Sequence, residues 1–170
     1  MNTELYLDPD LPQAGCFELK PEESRHLVRV RREREGVTVL VTNGRGLLAR
    51  CILQKALPSG AVLEIQTLHE EPAPMPLELA VSPLHNEGRW EWLIEKATEL
   101  GVARLVPLMT ERSVLRLHAD RALKRQAHWQ AQALAACEQC GRNRPPTIDV
   151  PQSLDQFLAQ DLGPTAKRLL

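Results

Sequence analysis

Short runs of β-branched and apolar residues, broken by turn residues at close intervals, dominate the first 70 positions of the chain. Glu4–Leu7 and Cys16–Leu19 predict short strands. Val37–Thr42 is strongly β-branched, Asn43-Gly44 supplies a hairpin turn, and Leu47–Leu53 follows. A further strand, Ala61–Leu68, comes after the break Pro58-Ser59-Gly60. One helix start interrupts the series: Pro21-Glu22-Glu23 has a proline at the first helical position and acidic residues in the first turn. Several short strands around one short helix predict a small barrel over residues 1–70.

The periodicity then changes. Residues 71–76, Glu-Pro-Ala-Pro-Met-Pro, carry prolines at alternate positions and predict an extended, semi-rigid linker. Beyond it, strand and helix patterns alternate. Leu77–Ser82 predicts a strand. Arg89–Leu100 predicts a helix with Trp90, Leu93, Ile94, Ala97 and Leu100 on one face, stopped by Gly101. Arg104–Leu108 predicts the next strand, and a helix follows from about Ala119 to Cys140. That helix carries two apolar stripes, Leu123/Ala127/Leu134 and Trp129/Ala133/Ala136/Cys140, as expected of a helix covered on two sides, one of them by a partner subunit. Gly141 ends it, and Pro145-Pro146 prevents its resumption. Thr147–Val150 predicts a strand, Ser153-Leu154-Asp155-Gln156 has capping-box spacing, and Ala166–Leu170 begins another strand. Strand–helix–strand alternation implies a parallel sheet, so residues 77–170 read as part of an α/β domain.

Composition narrows the class. Hydrophobic residues make up 43% and charged residues 25% of the 170, as in an ordinary globular protein. No apolar run reaches membrane-spanning length and no signal-peptide layout opens the chain, so a cytoplasmic protein is expected. Net charge is only −1, yet its distribution is uneven. Lys20–Arg34 holds six Lys/Arg against three Glu, a balance of +3, and Arg104–Pro146 holds eight against three acidic residues, a balance of +5. Two basic patches on a neutral background suit a localised anionic ligand.

Several candidate chemistries weaken on spacing. Cys137-x-x-Cys140 has no second Cys or His pair, and its place in an apolar stripe points to packing. Glu91, Glu95 and Glu99 share a helix face, but no partner for a metal site is visible, so a solvated acidic face is expected and no metal. The five histidines are isolated, no nucleophile–base order emerges, and no glycine-rich phosphate cradle is present. Two arginine groups stand out instead. Arg25, Arg29 and Arg32 fall at i, i+4, i+7, which aligns them on one helical face, either as a solvated surface or as readers of backbone phosphate. Arg142 and Arg144 flank Asn143 and, in an extended segment, present two guanidinium forks to one side; the alternative is a basic helix terminus offsetting its dipole.

The run Trp90-Glu91-Trp92-Leu93-Ile94-Glu95-Lys96-Ala97-Thr98-Glu99-Leu100-Gly101-Val102, then Pro107–Ser113, then Trp129-Gln130 and Ala136–Arg144, closely resembles the bacterial 16S ribosomal RNA uridine-N3 methyltransferases, the RsmE family. His26–Val30, Gly36 and the Asn43-Gly44 turn extend the similarity toward the N-terminus. The resemblance implies an α/β chain in which a PUA-like RNA-binding barrel precedes a SPOUT-type parallel-sheet domain with a C-terminal trefoil knot. It implies a homodimer that moves a methyl group from S-adenosylmethionine to N3 of one uridine in 16S rRNA of the small ribosomal subunit. Lys96, Glu99, Glu111, Arg112, Glu138, Gly141, Arg142, Asn143 and Arg144 fall on its motif positions. On that reading Arg142 and Arg144 hold RNA phosphate or the base, and Arg144 stabilises developing charge. Asn143 reads a base edge, Arg112 binds backbone, Glu138 orients Arg142, and Glu111 accepts the proton. Family members continue past Leu170 through their cofactor loops, so the S-adenosylmethionine site is expected beyond that residue. The alternative expectation for this chain is a non-catalytic RNA-binding or ribosome-assembly module.

Overall fold

The computed structural model of the chain describes residues 5–73, 76–111 and 119–160. Its first part is a curled, mostly antiparallel sheet of five strands in the order β1-β3-β4-β5-β2. These are β1 (Leu5–Leu7), β2 (Cys16–Glu18), β3 (Thr38–Thr42), β4 (Leu47–Lys55) and β5 (Val62–Glu70). Alternation along the strands turns Val39, Val41, Ala49, Cys51, Leu53 and Leu63 inward, where they meet Tyr6, Leu19 and Leu27 in one buried cluster. Register shifts at Arg50/Cys51 and Leu53/Lys55 break the β4–β5 ladder, and such irregularities bend a sheet toward a barrel. Only β1 runs parallel to its neighbour, β3. The result is an open half-barrel.

Two local expectations change here. The β3–β4 connection is a four-residue loop, Asn43–Gly46, not a two-residue turn. Asn43 Oδ1 accepts from the backbone N–H of Arg45 (2.8 Å) and Leu47 (3.0 Å), and Gly46 adopts φ +104°, open only to glycine. The helix α1 (Pro21–Arg25) runs directly into a π-helical turn, His26–Val30, closed by Arg31 N–H donating to His26 O at 2.9 Å. A π-turn holds more residues per turn than an α-helix. The i, i+4, i+7 alignment of Arg25, Arg29 and Arg32 therefore does not hold, and Arg32 lies past the helix with φ +56°. All three arginines are exposed, as are Arg31 and Arg34.

The second part is a parallel sheet. It comprises β6 (Glu78–Val81), β7 (Arg104–Met109), β8 (Thr147–Ile148) and β9 (Gln152–Ser153), with β8 and β9 pairing successive stretches of β7. The crossovers are α2 (Glu87–Glu99) and α3 (Ala119–Cys140), which pack on each other. Trp90 and Trp129 meet edge to face at 5.4 Å within a second cluster that includes Ile94, Leu105, Ala133 and Ile148. Arg104 joins this sheet across its strands, reaching Asp149 at 2.6 Å and Glu78 at 3.2 Å.

Asn86 caps α2 by accepting from Arg89 N–H, so the helix begins two residues earlier than its apolar face suggested. Thr98 is buried on that face and Leu100 is 78% exposed. On α3 the buried seam is Ala122, Trp129, Ala133, Ala136 and Cys137; Cys140 is exposed, and so is Leu123 of the other expected stripe. The thiol pair is therefore split between core and solvent. The Ser153 capping box forms and opens α4 (Leu154–Leu158). The expected strand at 166–170 and the candidate Arg112 lie outside the described residues.

Candidate functional site

Gly141, at φ +77°, ends α3 by donating its N–H to Cys137 O at 2.9 Å. The next three residues are spent on three separate contacts. Arg142 Nε donates to Glu99 O at 2.9 Å, so its guanidinium lies against the C-terminus of α2 and beside Gly101. A cation there complements the helix dipole, but of α2 and not of its own helix. Asn143 is 3% exposed, and its Nδ2 donates to Gly46 O at 3.1 Å while its carbonyl accepts from Gly46 N–H at 3.2 Å. Arg144 Nη2 donates to Glu71 O at 2.9 Å and its guanidinium covers the side of Gly46 where a Cβ would sit. Arg144 Nε is buried with no hydrogen-bond partner among the described residues. The two guanidinium groups thus go to different partners and do not form a pair of forks.

Lys96 bridges Glu95 (2.8 Å) and Glu99 (2.7 Å) on the surface of α2. The hydrogen bonds that Lys96 donates to Glu95 and Glu99 raise its pKa, and the bond accepted from Lys96 lowers that of Glu95. Both groups face solvent, so the pairing is weak in energy. Glu138 is half-buried and lines a cavity of about 280 Å³ with Glu22, Glu23 and His26. Arg142 is held by Glu99 O.

In a parallel sheet the carboxyl ends of the strands gather ligands. Here that edge bears Thr110 and Glu111, which follow β7 directly, with Glu111 exposed. The Gly141–Pro146 loop enters β8 at the opposite edge, where Arg104 is level with Thr147. The length of β7 separates the two, about 20 Å at roughly 3.3 Å per residue. Within one chain the structure does not bring Arg144 and Glu111 together.

What it does bring to the carboxyl edge is a cavity of about 250 Å³ between the β6–α2 loop and the two helices, lined by Pro83, Leu84, His85, Trp90, Arg125 and Trp129. Arg125 pairs with Glu87 at 3.5 Å, and His128 Nε2 lies 3.0 Å from Glu91. Glu87, Glu91 and His128 have ligand atoms within 4.8 Å of one another, all at the surface. The acidic face of α2 is thus partly matched by α3. His128 and Glu91 are 37 positions apart, beyond the reach of spacing arguments, although Arg125, His128 and Trp129 at i, i+3, i+4 do share one side of α3.

Residues 71–169 match the RNA methyltransferase domain family, and residues 19–66 match the RNA methyltransferase PUA domain family. The chain is 30% identical over 149 residues to ribosomal RNA small subunit methyltransferase E of Bacillus subtilis, covering 87% of the chain and 58% of that protein. It is 31% identical to the protein of the same name from Synechocystis, over 100% of the chain and 54% of that relative. The chain therefore spans little more than half the length of these relatives. The crystal structure of a ribosomal RNA small subunit methyltransferase E from Neisseria gonorrhoeae, bound to S-adenosyl methionine, superposes with a TM-score of 0.80 at 27% identity, covering 95% of this chain and 66% of that one.

Proposed function

The chain belongs to the ribosomal RNA small subunit methyltransferase E family, and from that membership we propose that its protein methylates N3 of a uridine in 16S rRNA, with S-adenosylmethionine as donor. The observation that carries the RNA half of this reading is the basic segment of the half-barrel. Arg25, Arg29, Arg31, Arg32 and Arg34 are all exposed around the π-turn, within the residues matched to a PUA domain. Phosphate contacts of this kind position RNA without reading its sequence.

We place the donor site outside the described residues. Among the described residues, the six glycines at positive φ (15, 36, 44, 46, 101, 141) lie in the half-barrel or at the amino edge of the sheet, so none of these makes a backbone cradle at the carboxyl edge. The cavity there, about 250 Å³, falls below the roughly 300–1,000 Å³ of clefts that enclose drug-sized ligands. What this chain's residues supply concerns the RNA. N3 of uracil becomes nucleophilic only when its imide proton leaves, and Glu111, exposed at the end of β7, is the proposed acceptor. The developing charge on the flanking carbonyls needs a nearby donor, worth a few kcal/mol. Arg125, at the carboxyl edge, is better sited than Arg144 for that. Leu123 of α3, 55% exposed, supports a homodimer in which a second copy covers it.

The test is to incubate the protein with labelled S-adenosylmethionine and unmodified small subunits, then digest the rRNA and identify the methylated nucleoside. 3-Methyluridine is expected, and label on any other nucleoside excludes N3 chemistry. Binding to rRNA without any transfer supports the RNA-binding module alone. In that binding assay, replacing Arg25 and Arg29 with Ala reduces the salt slope by about 2.

A further inference from the structure

Asn143 and Arg144 are 97 and 73 positions from their main partners, Gly46 and Glu71, and every bond they make crosses from the parallel-sheet part to the half-barrel or its exit. Gly46 is used completely. Its N–H donates to Asn143 O, and its carbonyl accepts from both Asn143 Nδ2 (3.1 Å) and Glu71 N–H (2.8 Å). The face where other residues carry a Cβ is filled by Arg144, whose Nη2 would lie 1.9 Å from such an atom. The φ of +104° favours glycine, and any side chain there would displace the Arg144 guanidinium.

We infer that Gly46, Asn143 and Arg144 form an interdomain clasp and act as positioning residues, setting the orientation of the half-barrel on the parallel sheet so that both engage one RNA. The inference rests on the proposed RNA function. Asn143 is too deeply buried to read a base edge, and its amide is already bonded. Beside the clasp, Asn43 and Arg45 of the hairpin loop face Gln126, Gln130 and Leu134 of α3 across a cleft of about 520 Å³, so one wall comes from each part and the clasp sets its width. Two binding surfaces joined by a short linker reinforce each other only when their geometry allows simultaneous contact. The clasp supplies that geometry.

The native cysteines provide the test. Cys16 on the half-barrel and Cys140 at the end of α3 are exposed, whereas Cys51 and Cys137 are buried with thiol pKa values pushed up to about 12. Spin labels on the exposed pair of the full chain report the distance between the two parts by pulsed electron resonance. Diluted into unlabelled protein, so that a homodimer carries one labelled copy, the unmodified protein gives one narrow distribution. Asn143→Asp, which keeps the shape but loses the donor, and Arg144→Ala each broaden it, while circular dichroism shows both variants folded. Affinity for a 16S rRNA fragment falls by at least about tenfold, with the salt slope unchanged because no phosphate contact is lost. Narrow distributions in both variants overturn the clasp. Broad distributions with unchanged affinity overturn its role in RNA positioning. A salt slope reduced by about 1 in Arg144→Ala, with the distance still narrow, makes Arg144 a direct phosphate contact and also overturns it. If the unmodified protein binds no rRNA, the proposed function fails while the distances still decide the clasp.

Discussion

Trp129→Ala tests how the parallel-sheet part is held together. Trp129 is 0% exposed and meets Trp90 edge to face at 5.4 Å, in a cluster closed by Ile94, Leu105, Ala133 and Ile148. A buried Trp removes about 150–250 Å² from water, worth roughly 4–6 kcal/mol at ~25 cal/mol/Å². Area counted from an extended chain is an upper bound, so the expected loss is about 4 kcal/mol, within the range of large-to-Ala changes in cores. At roughly 2–4 °C per kcal/mol for a chain of this size, the melting temperature falls by about 8–16 °C. Urea denaturation followed by circular dichroism gives the free energy without relying on the deleted fluorophore. Trp92→Ala is the internal control, because Trp92 is 61% exposed and should change stability by no more than about 0.5 kcal/mol. Trp129→Phe should cost much less than the alanine variant. It keeps a ring against Trp90 and removes an indole N–H that has no hydrogen-bond partner among the described residues. A loss below about 1.5 kcal/mol for Trp129→Ala, or one equal to that of Trp92→Ala, would refute the claim that this pair centres the second core.

Further outcomes follow from single positions. Gly101→Ala forces a side chain into φ +81° and against Arg142 Nη1 at 2.7 Å, so chemical denaturation should show a loss of about 1–2 kcal/mol. Gly88→Ala, inside α2 with its nearest neighbour at 3.5 Å, should instead stabilise by about 0.5–1 kcal/mol. Asn86→Ala removes the α2 cap and should cost about 1 kcal/mol in the same assay. The thiols predict an alkaline limit to stability. Burial raises Cys51 and Cys137 to about 12 from 9.0, so the folded state holds two protons that the unfolded chain releases. Stability is then constant below about pH 8 and falls between about 9 and 12, by up to ~1.4 kcal/mol per pH unit for each thiol. Cys51→Ala should halve that slope, and an unchanged slope would remove the buried thiols as its cause. At pH 8, a thiol reagent should modify the exposed Cys16 and Cys140 rapidly and the buried pair only on unfolding.

Local rules carried much of this protein. The β-branched run at 37–42, the Gly141 stop, the ends of α3 and the Ser153 capping box each depend on residues a few positions apart, so the chain alone determines them. Alternating strand and helix patterns likewise implied the parallel sheet, since a crossover constrains direction whatever its partners. Tertiary structure decided the rest. No spacing rule distinguishes a π-turn from an α-turn at His26–Val30, where Leu27 is buried in the half-barrel core. The same limit governs the arginines after α3. Their type and interval suit anion binding, as the sequence suggested, but Arg142 meets the end of α2 and Arg144 meets Gly46 and Glu71. Which partner a guanidinium takes depends on which backbone carbonyls the fold brings within reach. Those contacts span 43 to 97 positions of chain, and only tertiary packing, of α2 against the end of α3 and of one domain against the other, creates them.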